Sequence, residues 1–382
     1  MYAIFYLLNF FPNFGVRLAA GNFPIRYVSS VAFFAFRRVR KIDLLLLFAG
    51  LFLVFYAVLF LWVRPIHGLD FAYALFLFYA FVFVTLANNN LLLFKRYILL
   101  FWAANVIYAV VQNVAINAGV DSSYLMLHQN AHSESYVIPP HSYVKGLYRV
   151  TGLFVESAPF VFFLMLFHLF LNLFRLGGVL KFLNILFILV AGAKVGYLFL
   201  TYLVLNRINK YFKLGISVIF PALLLVFFVI FFSSYLKDVV LYFSGFVGGL
   251  GSLWVRLDGL ENVVNYLFSD FLRGLFGYGH VSSAQLMSGD YQGPRRGIDV
   301  LSSFILPNGV VGSFVFLVIF CVWLKKAVCI QDKYVKNDFF VVASLMLMTM
   351  GSLQQFQYAF LVVLLSLTGR LNTYSQTDLK AV

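Results

Sequence analysis

Charge is what this sequence has least of. Only 11% of its 382 residues are Asp, Glu, Lys or Arg, whereas an ordinary soluble domain carries about a quarter. Acidic residues are scarcest, 14 against 28 basic ones. So few charges disfavour a soluble globular enzyme with a normal water-facing surface. Cysteine is almost absent: Cys321 and Cys329 both lie in or beside one apolar run, which argues against a disulfide framework or a paired-cysteine metal site. No ATP-binding loop, HExxH, EF-hand or nucleophile elbow occurs. The start, MYAIFYLLNFF, lacks a basic leader and a small-residue cleavage site, so a removed signal peptide is not expected.

Apolar residues fill the space. They make up 63% of the chain, and aromatics 20%. Apolar runs near 20 residues recur along the length, enough to cross the ~30 Å hydrocarbon core as helices. They are continuous rather than alternating, which disfavours a strand barrel. The expected fold class is an all-α polytopic integral membrane protein, one membrane domain with about 10–12 transmembrane helices. The net charge of +14 falls in short clusters between runs, as the positive-inside bias requires, and does not indicate nucleic acid.

Two short apolar stretches, 1–14 and 25–36, are split by Gly15, Gly21 and Pro24. Arg37 to Lys41 is the strongest basic cluster and is placed in the cytoplasm. Spans follow at 43–62, 70–88 and 97–118, with the Lys95-Arg96 pair between the last two. Alternation then puts 119–150 outside as a first large loop, before a span at 151–174. The run 179–206 is either one tilted helix or two short crossings. Lys194 near its middle is costly in a bilayer, and two crossings place Gly192-Ala193-Lys194 near the outer surface. They also return Arg207, Lys210 and Lys213 to the cytoplasm. A span at 212–236 leads to the longest polar segment, 237–307, and spans at 308–324, 338–352 and 356–369 complete the chain. Both termini are then cytoplasmic.

The outer loops concentrate cations and carboxylates. Arginine presents paired planar donors that suit diphosphate oxygens. A lipid-linked diphosphate gains charge as it leaves, and an attacking hydroxyl must lose a proton. Arg149, Lys194, Arg256, Arg295 and Arg296 are candidates for the first task; Glu156, Asp299 and His280 are candidates for the second. Bland roles compete at each position. Arg149 begins a span and can simply snorkel, Arg256 can pair with Asp258 or Glu261, and Glu156 can simply neutralise Arg149. His128, His132 and His141 fit no tight metal-ligand spacing, so neither metal nor cofactor is expected. Gly277-Tyr278-Gly279 lacks a strand-to-helix context for a dinucleotide and reads as a tight turn. Aromatic runs such as Phe160 to Phe163 read as packing or lipid-facing residues.

Four segments, in order, resemble those of bacterial O-antigen polymerases and ligases. They are RVTGLFVESAP from Arg149, AGAKVGYL around Lys194, WVRLDGLENVVNYLFSDFLRGLFGYGH up to His280, and GIDVLSSFILPNGVVGSFVFL through Asp299. The resemblance covers about 149–320. It implies an inner-membrane glycosyltransferase acting at the periplasmic face on undecaprenyl-diphosphate-linked oligosaccharide. The implied product is O-antigen or a related surface polysaccharide, with membrane lipids and a chain-length regulator as partners. Arg149 and Arg256 match motif arginines, whereas Lys194 stands where arginine is usual. Asp299 stands near the place of the ligase histidine, which favours polymerase over ligase. A transporter or flippase is the competing class.

Overall fold

The computed structural model describes residues 2–9, 15–18, 21–27, 29–30, 51–52, 55–56, 59, 68–121, 125, 142–144, 147–148, 150–154, 157–212, 263–279, 300–328, 330, 332–349 and 356–371. These residues are mostly helical, with two short hairpins. The N-terminal α1 (Tyr2–Leu8) precedes β1 (Gly15–Leu18) and β2 (Gly21–Pro24), which pair antiparallel with Gly15 opposite Pro24. The glycines that divide the first apolar stretches therefore build a hairpin. A second hairpin joins β3 (Ser142–Val144) and β4 (Leu147–Tyr148).

The main helices are α2 (Gly68–Asn89), α3 (Leu91–Asn117), α4 (Ser157–Leu173), α5 (Gly178–Val190) and α6 (Lys194–Phe212). After them come the short α7 (Phe271–Phe276), then α8 (Val300–Val328), α9 (Lys333–Thr349) and α10 (Phe356–Leu371). Among the described residues, α3 is the one helix long and apolar enough to cross a membrane. Shorter apolar helices include Ser157–Leu173, Gly178–Val190 and Phe356–Thr368.

Several boundaries differ from expectation for local reasons. The turn between α2 and α3 is at Asn90, whose side chain accepts from the Leu93 amide at 3.0 Å and caps α3. Lys95 and Arg96 consequently lie inside the helix, not in a connection between spans. Similarly, α6 runs on through Arg207 and Lys210 to Phe212. The run 179–206 is indeed two helices, interrupted at 191–193, where Gly192 takes φ +66°. The segment 237–307 is not wholly a loop: 263–269 and α7 are helical, and α8 begins at Val300 rather than at 308.

Helix α4 occupies the centre. From Phe160 to Leu171 all its side chains are buried, so the phenylalanine run is packing, as a helix apolar on every side requires. Phe163 meets Phe101 of α3 edge-on at 4.9 Å, and Phe101 meets Phe356 of α10 at 5.2 Å. Phe83 of α2 contacts Phe356 at 5.8 Å. On the outer side of α3, Leu100, Ile107, Val110, Val111 and Val114 are exposed.

Candidate functional site

Chain direction gathers the motif segments at one end of the bundle. α4 and α5 form an antiparallel hairpin, so the start of α4, the end of α5 and the start of α6 lie together. Close approach at Gly196 fixes this: a Cβ there would stand 3.1 Å from both Val161 Cγ1 and Ile188 Cγ2. At the same end Gln357 of α10 donates to the Pro159 carbonyl at 2.7 Å. Asp338, early in α9, reaches the opposite ends of α4 and α6, so α9 starts at the opposite end. The stretch of α8 after the Gly309 break turns back into α9 there, so that stretch must begin at the motif end.

Residues 150–154 approach α4 without helical structure, and α3 satisfies their backbone. Gln112 Oε1 accepts from the Thr151 and Gly152 amides at 3.1 and 3.0 Å. Its Nε2 is directed at Thr151 Oγ1, the Gly152 carbonyl and the Leu125 carbonyl, at 3.0, 3.3 and 3.0 Å. Asn105 Oδ1 accepts from the Leu153 amide at 3.0 Å, and Asn113 donates to the Tyr148 carbonyl at 3.3 Å. A buried peptide group without a partner is costly, so these amides permit an irregular segment inside an apolar bundle. Residues 151–154 are thus not helical, where a span was expected from 151, and the described helix runs Ser157–Leu173. Gly152 has φ +57°, and a Cβ there would press on Asn105 Oδ1 at 2.9 Å and the Phe160 ring at 3.0 Å.

The second irregularity is in α8. Pro307 lacks an amide hydrogen, and Gly309 adopts φ +68°, ψ −178°, so the helical ladder is interrupted. The glycine turn after α7 fits against this break. Tyr278 N–H donates to the Leu306 carbonyl at 3.0 Å, and Gly279 N–H donates to the Pro307 carbonyl at 3.1 Å. The Tyr56 hydroxyl lies 2.8 Å from the Asn308 carbonyl oxygen and 3.1 Å from that of Phe276, sharing its proton between them. Gly277 and Gly279 take φ +93° and +74°, the tight turn expected of this sequence. Tyr278 extends back to donate to the Tyr266 carbonyl at 2.6 Å, and Asp270 caps α7 through the Arg273 amide at 3.1 Å.

Of the candidate site residues, the structure describes Lys194. It is exposed at the first position of α6, directly after the 191–193 interruption. Arg149, Glu156, Arg256, His280, Arg295, Arg296 and Asp299 lie outside the described residues, as do His128, His132 and His141. In sequence, described residues adjoin four of the seven: Tyr148 and Val150 flank 149, Ser157 follows 156, Gly279 precedes 280, and Val300 follows 299. Among the described residues no three His, Cys, Asp or Glu side chains are grouped to hold a metal ion.

At the opposite end is a polar cluster that sequence reasoning passed over. Asp338 is 4% exposed and accepts from Tyr202 Oη and Asn206 Nδ2 at 3.0 Å each, on Oδ1. Asn172 Nδ2 reaches Oδ2 at 3.4 Å. One carboxylate thereby ties α4, α6 and α9. Its signal was present: Asn206 follows Tyr202 by four residues, one helical face, and Asp338 directly precedes the apolar run of its helix. Further along α4, Asn184 of α5 donates to the Leu164 carbonyl at 2.9 Å and accepts from Trp102 Nε1 at 3.0 Å. No family model matches the chain, and no curated protein or solved structure matches it.

Proposed function

We propose that this chain is a multi-pass protein of the bacterial inner membrane that polymerises undecaprenyl-diphosphate-linked oligosaccharide repeat units at the periplasmic face. The observation that carries the reading is positional. The segments that resemble the O-antigen polymerases contain the 150–154 turn, the 191–193 interruption, the Gly277–Gly279 turn and the Pro307–Gly309 break. All four irregularities occur at one end of the bundle, where a lipid headgroup and a glycan would meet protein.

In this reaction the hydroxyl of the non-reducing sugar of a new repeat unit attacks C1 of the growing glycan. The bond from C1 to the carrier diphosphate breaks, and undecaprenyl diphosphate leaves with the electron pair. Arg149, Lys194, Arg256, Arg295 and Arg296 hold the diphosphate and take up the charge that develops. Glu156, His280 or Asp299 accepts the hydroxyl proton. The product is O-antigen or a related surface polysaccharide, and a chain-length regulator is the expected protein partner.

A deletion strain is expected to show surface glycan of a single repeat and no ladder; long chains at wild-type abundance would refute polymerisation. A ligase deletion would instead strip glycan of every length from lipid A-core while lipid-linked polymer accumulates. The break in α8 favours one further reading, translocation, because transporters place sites at interrupted helices. Purified protein in liposomes loaded with lipid-linked repeat units separates the two: polymerisation lengthens the glycan, translocation moves it unchanged.

A further inference from the structure

The segment before the glycine turn has an outer surface of two characters. Residues 263–269 are helical, Asp270 bends the chain, and α7 follows. Val263, with Tyr266 and Leu267 beside it, packs on Tyr278 and Leu306, so one side is held against the bundle. The remaining surface is open. Phe268 is 85% exposed and Phe271 75%, and Val264 and Leu272 are exposed near them in sequence. Asn265, Ser269 and Arg273 are exposed among these, the last paired with Asp270 at 3.5 Å. A single apolar side chain at a surface needs no explanation, but four between 264 and 272 do.

We infer that 263–276 is an interfacial segment, lying on the membrane surface at the motif end of the bundle. Phe268, Phe271 and Leu272 are set into the acyl boundary of the leaflet, and Asn265, Ser269 and Arg273 stand among headgroups and water. Neither solvent alone fits. Water would have to hydrate two whole phenyl rings, and hydrocarbon would desolvate Asn265, Asp270 and Arg273. The boundary accepts both, as it does for helices that lie in the interface plane. The position agrees. The Tyr278 and Gly279 amides tie the end of α7 to α8 at Leu306 and Pro307. Directly after that tie, Val310, Phe314, Leu317 and Val318 are exposed at three- and four-residue spacing, one outward stripe. The apolar surface of α7 therefore continues into the outward side of α8, and lipid that covers one reaches the other. Seated so, the segment holds the Gly277–Gly279 turn at headgroup depth. This rests on the membrane-spanning reading of the bundle and is independent of the polymerase chemistry.

The test uses full-length protein in nanodiscs, with Cys321→Ser and Cys329→Ser as background and a small fluorophore on one new cysteine. Phe268→Cys and Phe271→Cys report on the apolar side, Asn265→Cys on the polar side, and Ile107→Cys on the exposed face of α3. All four positions are exposed, so labelling spares the packing. The quenchers are aqueous iodide and two nitroxide lipids, one labelled near the headgroup end of its acyl chain and one near the tail end. The labels at 268 and 271 are expected to lose most of their fluorescence to the headgroup-end nitroxide and little to iodide. The label at 265 should lose most to iodide, and that at 107 most to the tail-end nitroxide. Iodide quenching at 268 and 271 equal to that at 265 overturns the proposal, while lipid quenching at 107 keeps the membrane reading. Shielding of 268 and 271 from every quencher overturns it too, because a protein surface then covers them. Stronger quenching there by the tail-end nitroxide puts the segment inside the bilayer and not at its surface. If neither lipid quenches the label at 107, the membrane reading fails and the proposal with it. Should Phe268→Cys or Phe271→Cys not fold, the other decides.

Discussion

Gly277 occupies the space in which a side chain on Gly309 would stand, and the backbone of Pro307 and Asn308, just before Gly309, fills the space a side chain on Gly277 would need. A Cβ on Gly309 would strike the Leu275 carbonyl and the Gly277 amide nitrogen; one on Gly277 would strike the Pro307 carbonyl. Both residues also have positive φ, where an L side chain costs about 1–2 kcal/mol by itself. Alanine at either position is therefore expected to lower thermal stability in detergent sharply. Gly119 serves as control, with φ +86° and nothing within 4 Å of its Cβ position. Gly119→Ala should cost only the conformational term, about 1 kcal/mol. Equal melting temperatures for the three variants would contradict the interlock.

The Tyr56 hydroxyl joins the two sides of the same interlock, at Phe276 and Asn308. Tyr56→Phe keeps the ring beside Gly312 and deletes only the donor, at an expected cost of about 1–2 kcal/mol. Hydrogen exchange at the Tyr278 and Gly279 amides should accelerate in this variant, while exchange in α4 stays unchanged. Uniform acceleration across the bundle would speak for a general loss of packing instead.

Asp338 predicts a graded series. Tyr202→Phe removes one buried hydrogen bond to the Asp338 carboxyl and is expected to cost about 1 kcal/mol. Asp338→Ala strands three donors at once and should cost more than Tyr202→Phe. Because Tyr202 and Asn206 meet the same oxygen, Tyr202→Phe combined with Asn206→Ala should depart from additivity. Unfolding midpoints of the single and double variants measure this. Strict additivity would mean that the two side chains do not share the carboxylate.

Lys194 carries charge without a planar fork. On the polymerase reading, Lys194→Ala should shorten the surface glycan ladder, and Lys194→Arg should retain its length. The readout is a gel of surface polysaccharide from strains expressing each variant at matched levels. A full ladder with alanine would remove Lys194 from the site.

Composition and run length sufficed for a helical chain, and they located α2, α9 and α10 within a few residues. The interruption before Lys194 was legible because a bilayer penalises a central lysine and Gly192 offers a left-handed turn. Other features depended on contacts across the chain. Nothing local to 151–153 announces that Gln112 and Asn105 will take over its hydrogen bonds. Lys95 and Arg96 looked like a connection, but one asparagine cap five residues earlier outweighed them. The α8 break was half visible, as a proline and glycine within a span. Its partner was not, since the docking of Gly277–Gly279 brings together residues some thirty positions apart. The candidate cations were chosen by type and by resemblance, and of these Lys194 alone falls among the described residues.

The brevity of α5 has a mechanical consequence. Thirteen residues rise about 20 Å, whereas the hydrocarbon core measures ~30 Å. On the proposed reading, a helix that starts at the cytoplasmic boundary ends well below the periplasmic one, and Lys194 opens at the floor of a dent. Bilayers accommodate such mismatch by thinning. On the proposed reading, such thinning would bring the carrier's headgroup down toward Lys194.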